Sequence, residues 1–216
     1  MSFATMLQQL GMGMLTSVLI FTLTLLGALP LALPIAFGRM SRFKPLSMLM
    51  RVYISVMRGT PLMLQLLVVY FAPWFVFKIP LSNGYRFYAV IIAFVLNYAA
   101  YFAEIYRAGI ESIPKGQYEA AEVLGYSKRQ TFSRIIFPQM VKRILPPTTN
   151  EIITLVKDTS LAFAIGVLEM FTLSKQIASA EKSMVPYAAA AVFYYIFNAV
   201  VAWAMERIEH KLSYYR

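Results

Sequence analysis

No charged side chain occurs before Arg39. A water-soluble domain does not open on so long an uncharged and largely apolar run. A helix crossing about 30 Å of hydrocarbon, by contrast, needs about 20 such residues. Met12 to Phe37 therefore reads as a first membrane span, which Pro30 and Pro34 should kink in a way that neighbouring helices tolerate. A secretory leader starts with a basic region and a short apolar core, and this start has neither. Across the 216 residues, 59% are hydrophobic and only 14% charged, too little charge for a soluble domain of this size. The formal net charge of +10 does not point to nucleic acid, because the cations flank apolar runs as the positive-inside rule describes. Cysteine is absent and His210 is the single histidine. A thiolate or histidine metal site and a cysteine nucleophile are thus not expected within this chain.

Further apolar runs follow in order. Arg39, Arg42, Lys44, Arg51 and Arg58 form a cation-rich stretch without an acid, and Leu46 to Met57 within it is amphipathic. Pro61 to Phe77 reads as a second span, with Thr60 as its N-cap and Pro61 in its first turn. Gln65 is a lone amide in that run, suited to an interhelical hydrogen bond. The short connection Lys78 to Arg86 contains the turn signal Asn83-Gly84. Phe87 to Ile105 is a third span carrying Asn97, Tyr98, Tyr101 and, near its end, Glu104. Positions 150–173 read as a fourth span holding Asn150, Glu151, Lys157, Asp158, Thr159 and Ser160. A charge at mid-membrane costs roughly 3 kcal/mol or more, and such residues face protein or water, so this segment must be central. Lys175, Glu181 and Lys182 lie about a short outer loop, positions 186–205 form a fifth span, and Glu206 to Arg216 is a charged tail.

Counting cations between the spans gives an all-α membrane protein of five transmembrane helices, N-terminus outside and C-terminus inside. One domain covers 1–216. The chain has no GxxxxGK[ST] run to cradle phosphates, so any use of ATP belongs to a partner.

The polar loop from about 107 to 146 has its own pattern. Gln117 to Leu124 is rich in helix formers, Gly125 is free to take positive φ at a helix C-cap, and a second helical run, Ser127 to Ile136, should stop near Pro138. Ala120 and Ala121 would let another backbone come close, with Glu119 and Glu122 at the edge. A merely solvated loop helix is the alternative.

The arrangement Glu119-Ala120-Ala121, Gly125, Ile135 and Phe137-Pro138 resembles the EAA loop of the permease subunits of bacterial ABC importers, with Phe-Pro where the family usually has Leu-Pro. Arg58-Gly59-Thr60-Pro61 with Gln65, Ala103-Glu104-Ile105, Arg107-Ala108-Gly109-Ile110, Gly116-Gln117, Asn150-Glu151 and Lys157-Asp158-Thr159-Ser160-Leu161 are similar to segments of the polar amino acid permeases. The resemblance implies a type I importer fold in a bacterial plasma (inner) membrane. It implies a second permease subunit, identical or related, two ATP-binding subunits that hold ATP and Mg, and an external solute-binding protein. It implies a helix (Gln117, Glu119, Ala120, Ala121, Glu122, ending at Gly125) that couples ATP hydrolysis to transport, and no cofactor in this chain.

For a polar amino acid of basic, amide or cystine-like type, an opine included, Asp158 would accept the ammonium or a basic side chain. Thr159, Ser160, Asn97 and Gln65 would offer neutral donors, and Tyr98 a wall. The alternative is that Lys157 and Asp158 only neutralise each other. A secondary transporter or channel would show more spans or inverted repeats, a scaffold leaves the charged fourth span unexplained, and an enzyme lacks a nucleophile-base or metal constellation.

Overall fold

The structure, a computed structural model, describes residues 1–82 and 84–212, and among them the regular secondary structure is all helical. The helices are α1 (Phe3–Arg39), α2 (Lys44–Gly59), α3 (Leu62–Phe77), α4 (Tyr85–Glu111), α5 (Lys115–Val123), α6 (Lys128–Thr131), α7 (Phe137–Asp158), α8 (Met170–Glu181) and α9 (Val185–Lys211). Asn83 of the Asn83-Gly84 turn signal, and Ser213 to Arg216 of the tail, lie outside the described residues. By length and composition α1, α4 and α9 can each cross a membrane, and the bent pair α2–α3 makes a fourth candidate.

α1 packs along α4, and alanines make that possible. Ala28, Ala32 and Ala36 on α1 and Ala89, Ala93, Ala99, Ala100 and Ala103 on α4 are all buried in the main core. Small residues spaced by four let two membrane helices approach, where packing rather than the hydrophobic effect drives association. Phe94, Tyr98 and Phe102 of α4 are the largest fully buried side chains of that core. Leu15, Leu19 and Leu26 of α1 and Tyr195, Ile196, Val200 and Trp203 of α9 stay exposed on the outside of the bundle.

Several sequence expectations change. α1 begins nine residues earlier than Met12, capped by Ser2, and holds Pro30 and Pro34 within it. The second span, read as Pro61 to Phe77, is α3 (Leu62–Phe77), which α2 meets at 111°. Thr60 does not N-cap α3. It terminates α2 in extended backbone, and Pro61 precedes Leu62 without a side-chain cap. Pro61 has no amide to continue the α2 ladder, so the chain turns there.

The run from Ser127 does not stop at Pro138. A π-helical turn, Phe132–Ile136, joins α6 to α7, with the Phe137 amide reaching back to the Phe132 carbonyl. The widened turn carries the helix past a residue without an amide. Positions 150–173 are not one helix. α7 ends at Asp158, a 3-10 stretch covers Thr159–Ile165, Gly166 takes φ 73°, and α8 starts afresh at Met170. Lys175 accordingly lies within α8, not in a loop, and Lys182 ends it in left-handed backbone. α9 extends to Lys211, through much of the expected tail.

Candidate translocation seam and coupling hairpin

Two sets of polar residues lie far apart in character. The first is an interior seam along α4 and α7. Asn97 and Tyr98 are almost fully buried, at 4% and 2% exposed. The Tyr98 hydroxyl donates to Asp158 Oδ2 at 2.7 Å, joining the middle of α4 to the last residue of α7. Asp158 is half-buried and Lys157 is exposed. Tyr98, not Lys157, is the hydrogen-bonding partner of the carboxylate. The Thr159 hydroxyl donates to the Val156 carbonyl and the Ser160 hydroxyl to the Lys157 carbonyl. Both therefore use their donors to satisfy carbonyls at the end of α7, where the helical ladder runs out.

Gln65 and Asn97 meet each other. Asn97 Nδ2 donates to Gln65 Oε1 at 2.9 Å and to the Met57 carbonyl at 3.0 Å. Gln65 Nε2 donates to the same carbonyl at 2.9 Å and to the carbonyl and hydroxyl of Thr60. The reason is local: the Met57 carbonyl would bond the amide at position 61, and proline has none. Two side-chain amides take its place and fix the elbow between α2 and α3. The interhelical role open to Gln65 is thus present in the geometry.

One interior residue went unassigned in the sequence. Glu169 is 0% exposed. It accepts from the Phe171 and Thr172 amides and the Thr172 hydroxyl, each at 2.7 Å, and from the Tyr194 hydroxyl at 3.1 Å. A buried carboxylate is tolerable only when so surrounded by donors. The visible signal was a lone acid in the apolar run Val167 to Leu173, with threonine three positions on, as a helix N-cap requires.

The second set is the hairpin α5–α6. Helix α5 ends in a Schellman arrangement: Gly125 at φ 74°, its amide on the Glu122 carbonyl, and the Tyr126 amide on the Ala121 carbonyl. Ser127 and Gln130 form a capping box that starts α6. The backbone is locally satisfied, so the side chains are left outward. Ala121 is buried, whereas Gln117, Glu119, Ala120 and Glu122 are exposed. Gln139 of α7 donates to Gln117 Oε1 at 3.1 Å and braces α5 from below. Val123 and Leu124 stand 88% and 73% exposed at its tip. Partial burial pushes the Tyr118 hydroxyl above its ordinary value. Among the described residues no group of acids and histidine could hold a metal.

The family model for "Binding-protein-dependent transport system inner membrane component" matches residues 28–214. The chain belongs to this family. It is 39% identical to the L-cystine transport system permease protein TcyB of Bacillus subtilis (strain 168), over 86% of this chain and 78% of that one. It is 33% identical to the arginine transport system permease protein ArtQ of the same organism, over 93% and 91%. A solved structure described as an amino acid ABC transporter with histidines matches at TM-score 0.86 and 30% identity, covering 98% of this chain and 99% of that one. These relatives are permease subunits, transport components rather than enzymes. The permease thus has a multi-helix apolar body of the type I kind and a polar hairpin at one end of it.

Proposed function

We propose that the permease forms, as a dimer with an identical or related chain, the pathway of an ATP-driven importer for a polar amino acid. Basic, amide and cystine-like solutes fit, in line with the relatives named for L-cystine and arginine. Five crossings of a bacterial plasma membrane, N-terminus outside and C-terminus inside, would put the cations of 39–58 and 107–143 in the cytoplasm. Two ATP-binding subunits hold ATP and Mg, and an external solute-binding protein delivers the solute.

The observation that carries this reading is the hairpin. A helix with a closed backbone and an outward edge of Glu119, Ala120, Glu122, Val123 and Leu124 is complementary to a cleft on another protein. ATP closes the ATPase pair, the cleft moves α5, and the continuous α6–α7 helical connection passes the motion to Asp158. Glu119 accepts hydrogen bonds from the ATPase, and Gly125 sets the corner.

In the pathway, Asp158 takes the ammonium or a basic side chain, with Tyr98 beside it as wall and donor. Thr159, Ser160, Asn97 and Gln65 then shape the site mainly by holding α7 and the elbow. The test is co-purification and reconstitution: a stoichiometric ATPase whose hydrolysis depends on this chain, with solute uptake in sealed vesicles. Uptake that proceeds without any ATPase would instead identify a secondary transporter or channel.

A further inference from the structure

Helix α2 carries two apolar rows, and the bundle uses only one of them. Ile54 is buried, and Met50, Tyr53 and Met57 pack with it against the main core. The Tyr53 hydroxyl donates to the Leu96 carbonyl at 2.6 Å and ties that row to α4. The second row is Met48, Leu49, Val52 and Val56. It follows the three- and four-residue spacing of one helix face, and its members are 50% to 68% exposed.

Cations border the uncovered row. Lys44 and Arg51 are two helical turns apart, roughly 10 Å, and lie on one line of the helix beside it. Arg42 sits in the turn between α1 and α2. All three are exposed, and none of their side chains makes a hydrogen bond or ion pair among the described residues. No acid occurs in the sequence before Glu104, so nothing nearby in the chain is built to match them. α2 meets α3 at 111°, about 20° off perpendicular. Where α3 crosses the bilayer, α2 therefore runs along its surface, the level at which a helix with one apolar and one basic side settles.

The sign of the charge selects the occupant. A second copy of this chain laid on the same face about a two-fold axis would set Lys44 and Arg51 against their own images, with no acid between them. An anionic phospholipid satisfies both rows at once, its phosphate on the cations and its acyl chains along Met48, Val52 and Val56.

We propose that α2 is a docking surface for anionic phospholipid of the inner leaflet, held by Arg42, Lys44 and Arg51. It rests on the importer reading, which puts positions 39–58 at the inner face. α2 leads into the elbow that Gln65 and Asn97 fix at Met57, so the lipid braces the entry to α3.

The experiment titrates the detergent-solubilised permease–ATPase complex with radiolabelled phosphatidylglycerol, using phosphatidylcholine as competitor. Phosphatidylglycerol should bind, and phosphatidylcholine should not displace it. Each Lys or Arg at such a surface strengthens attraction to anionic lipid about fivefold. Arg42→Gln with Arg51→Gln should therefore weaken binding by about 25-fold, while Arg42→Lys with Arg51→Lys stays close to wild type. Arg207→Gln with Lys211→Gln removes the same charge from the end of α9 and should change binding little. Equal losses in the two charge-removed pairs would mean a general attraction to a basic protein and would overturn the site, as would displacement by phosphatidylcholine. In proteoliposomes of the same complex, phosphatidylglycerol with a diazirine on its acyl chain should label the α2 peptide. An unlabelled α2, with Val52→Cys cross-linking instead to another protein chain, would overturn the lipid in favour of a protein contact. A complex whose α2 is labelled but which takes up no amino acid with ATP in any lipid mixture would overturn the importer reading and leave the lipid site supported.

Discussion

The hairpin and the seam use polar residues in opposite ways. In the hairpin the backbone is closed on itself by a Schellman turn and a capping box, and Glu119, Ala120, Glu122 and Val123 of α5 stay exposed. In the seam the side chains close on the backbone and on each other. Asn97 and Gln65 saturate Met57, Tyr98 saturates Asp158, and Thr159 and Ser160 saturate the end of α7. An outward set is suited to docking. A saturated set is suited to holding a break in a membrane helix in one shape until something with better hydrogen bonds displaces part of it. Asp158 is the member where that exchange is easiest, because it is half-buried and has a single hydroxyl donor.

The largest expected effect separates the two regions at that residue. Asp158→Asn keeps the size and the Tyr98 contact but removes the charge. It should weaken apparent affinity for a cationic amino acid by about ten- to a hundredfold, with less effect on a neutral one, while stimulated ATP hydrolysis remains. Uptake kinetics for L-arginine and L-glutamine check this, and unchanged affinity for both would remove Asp158 from the site.

Gly125→Val attacks the other region. Left-handed backbone costs a non-glycine residue about 1–2 kcal/mol, and a β-branched one the most. The corner should reset, and stimulated hydrolysis and uptake should fall by about tenfold together, with solute binding intact. Parallel assays of hydrolysis, uptake and binding decide it, and normal stimulated hydrolysis and uptake would refute the role of the corner.

Asn97→Leu is the smallest of the three. It leaves the Gln65 oxygen unpaired and should cost about 1–3 kcal/mol of stability. Gln65→Leu in the same background should add less than its single effect, because the pair is one network. Thermal unfolding of the four variants of the cycle measures the coupling, and fully additive losses would break the picture of a joint clamp on Met57.

Much of this contrast was legible in residues. Arg39 as the first charge, the Gly125 corner and the polar run through Asp158 all carried through to structure, because each depends on local chemistry. What was not legible depended on context. Pro138 reads as a stop, and only the π turn at Phe132–Ile136 shows how the helix passes it. Positions 150–173 read as one span, yet Gly166 and the buried Glu169 cap break it. Gln65 and Asn97 lie on different helices, so their meeting over one orphan carbonyl has no signature in either run.

The central claim is that α5 receives mechanical work from a nucleotide-hydrolysing neighbour. The chain contains no cysteine, so Ala120→Cys gives this chain a single thiol, on α5, in the intact complex. Short bifunctional reagents should link position 120 to the ATP-binding subunit, with a yield that changes between nucleotide-free and ATP-trapped states. The account is contradicted if that cysteine is instead labelled by an impermeant maleimide from outside sealed cells, or links to no ATPase in either state.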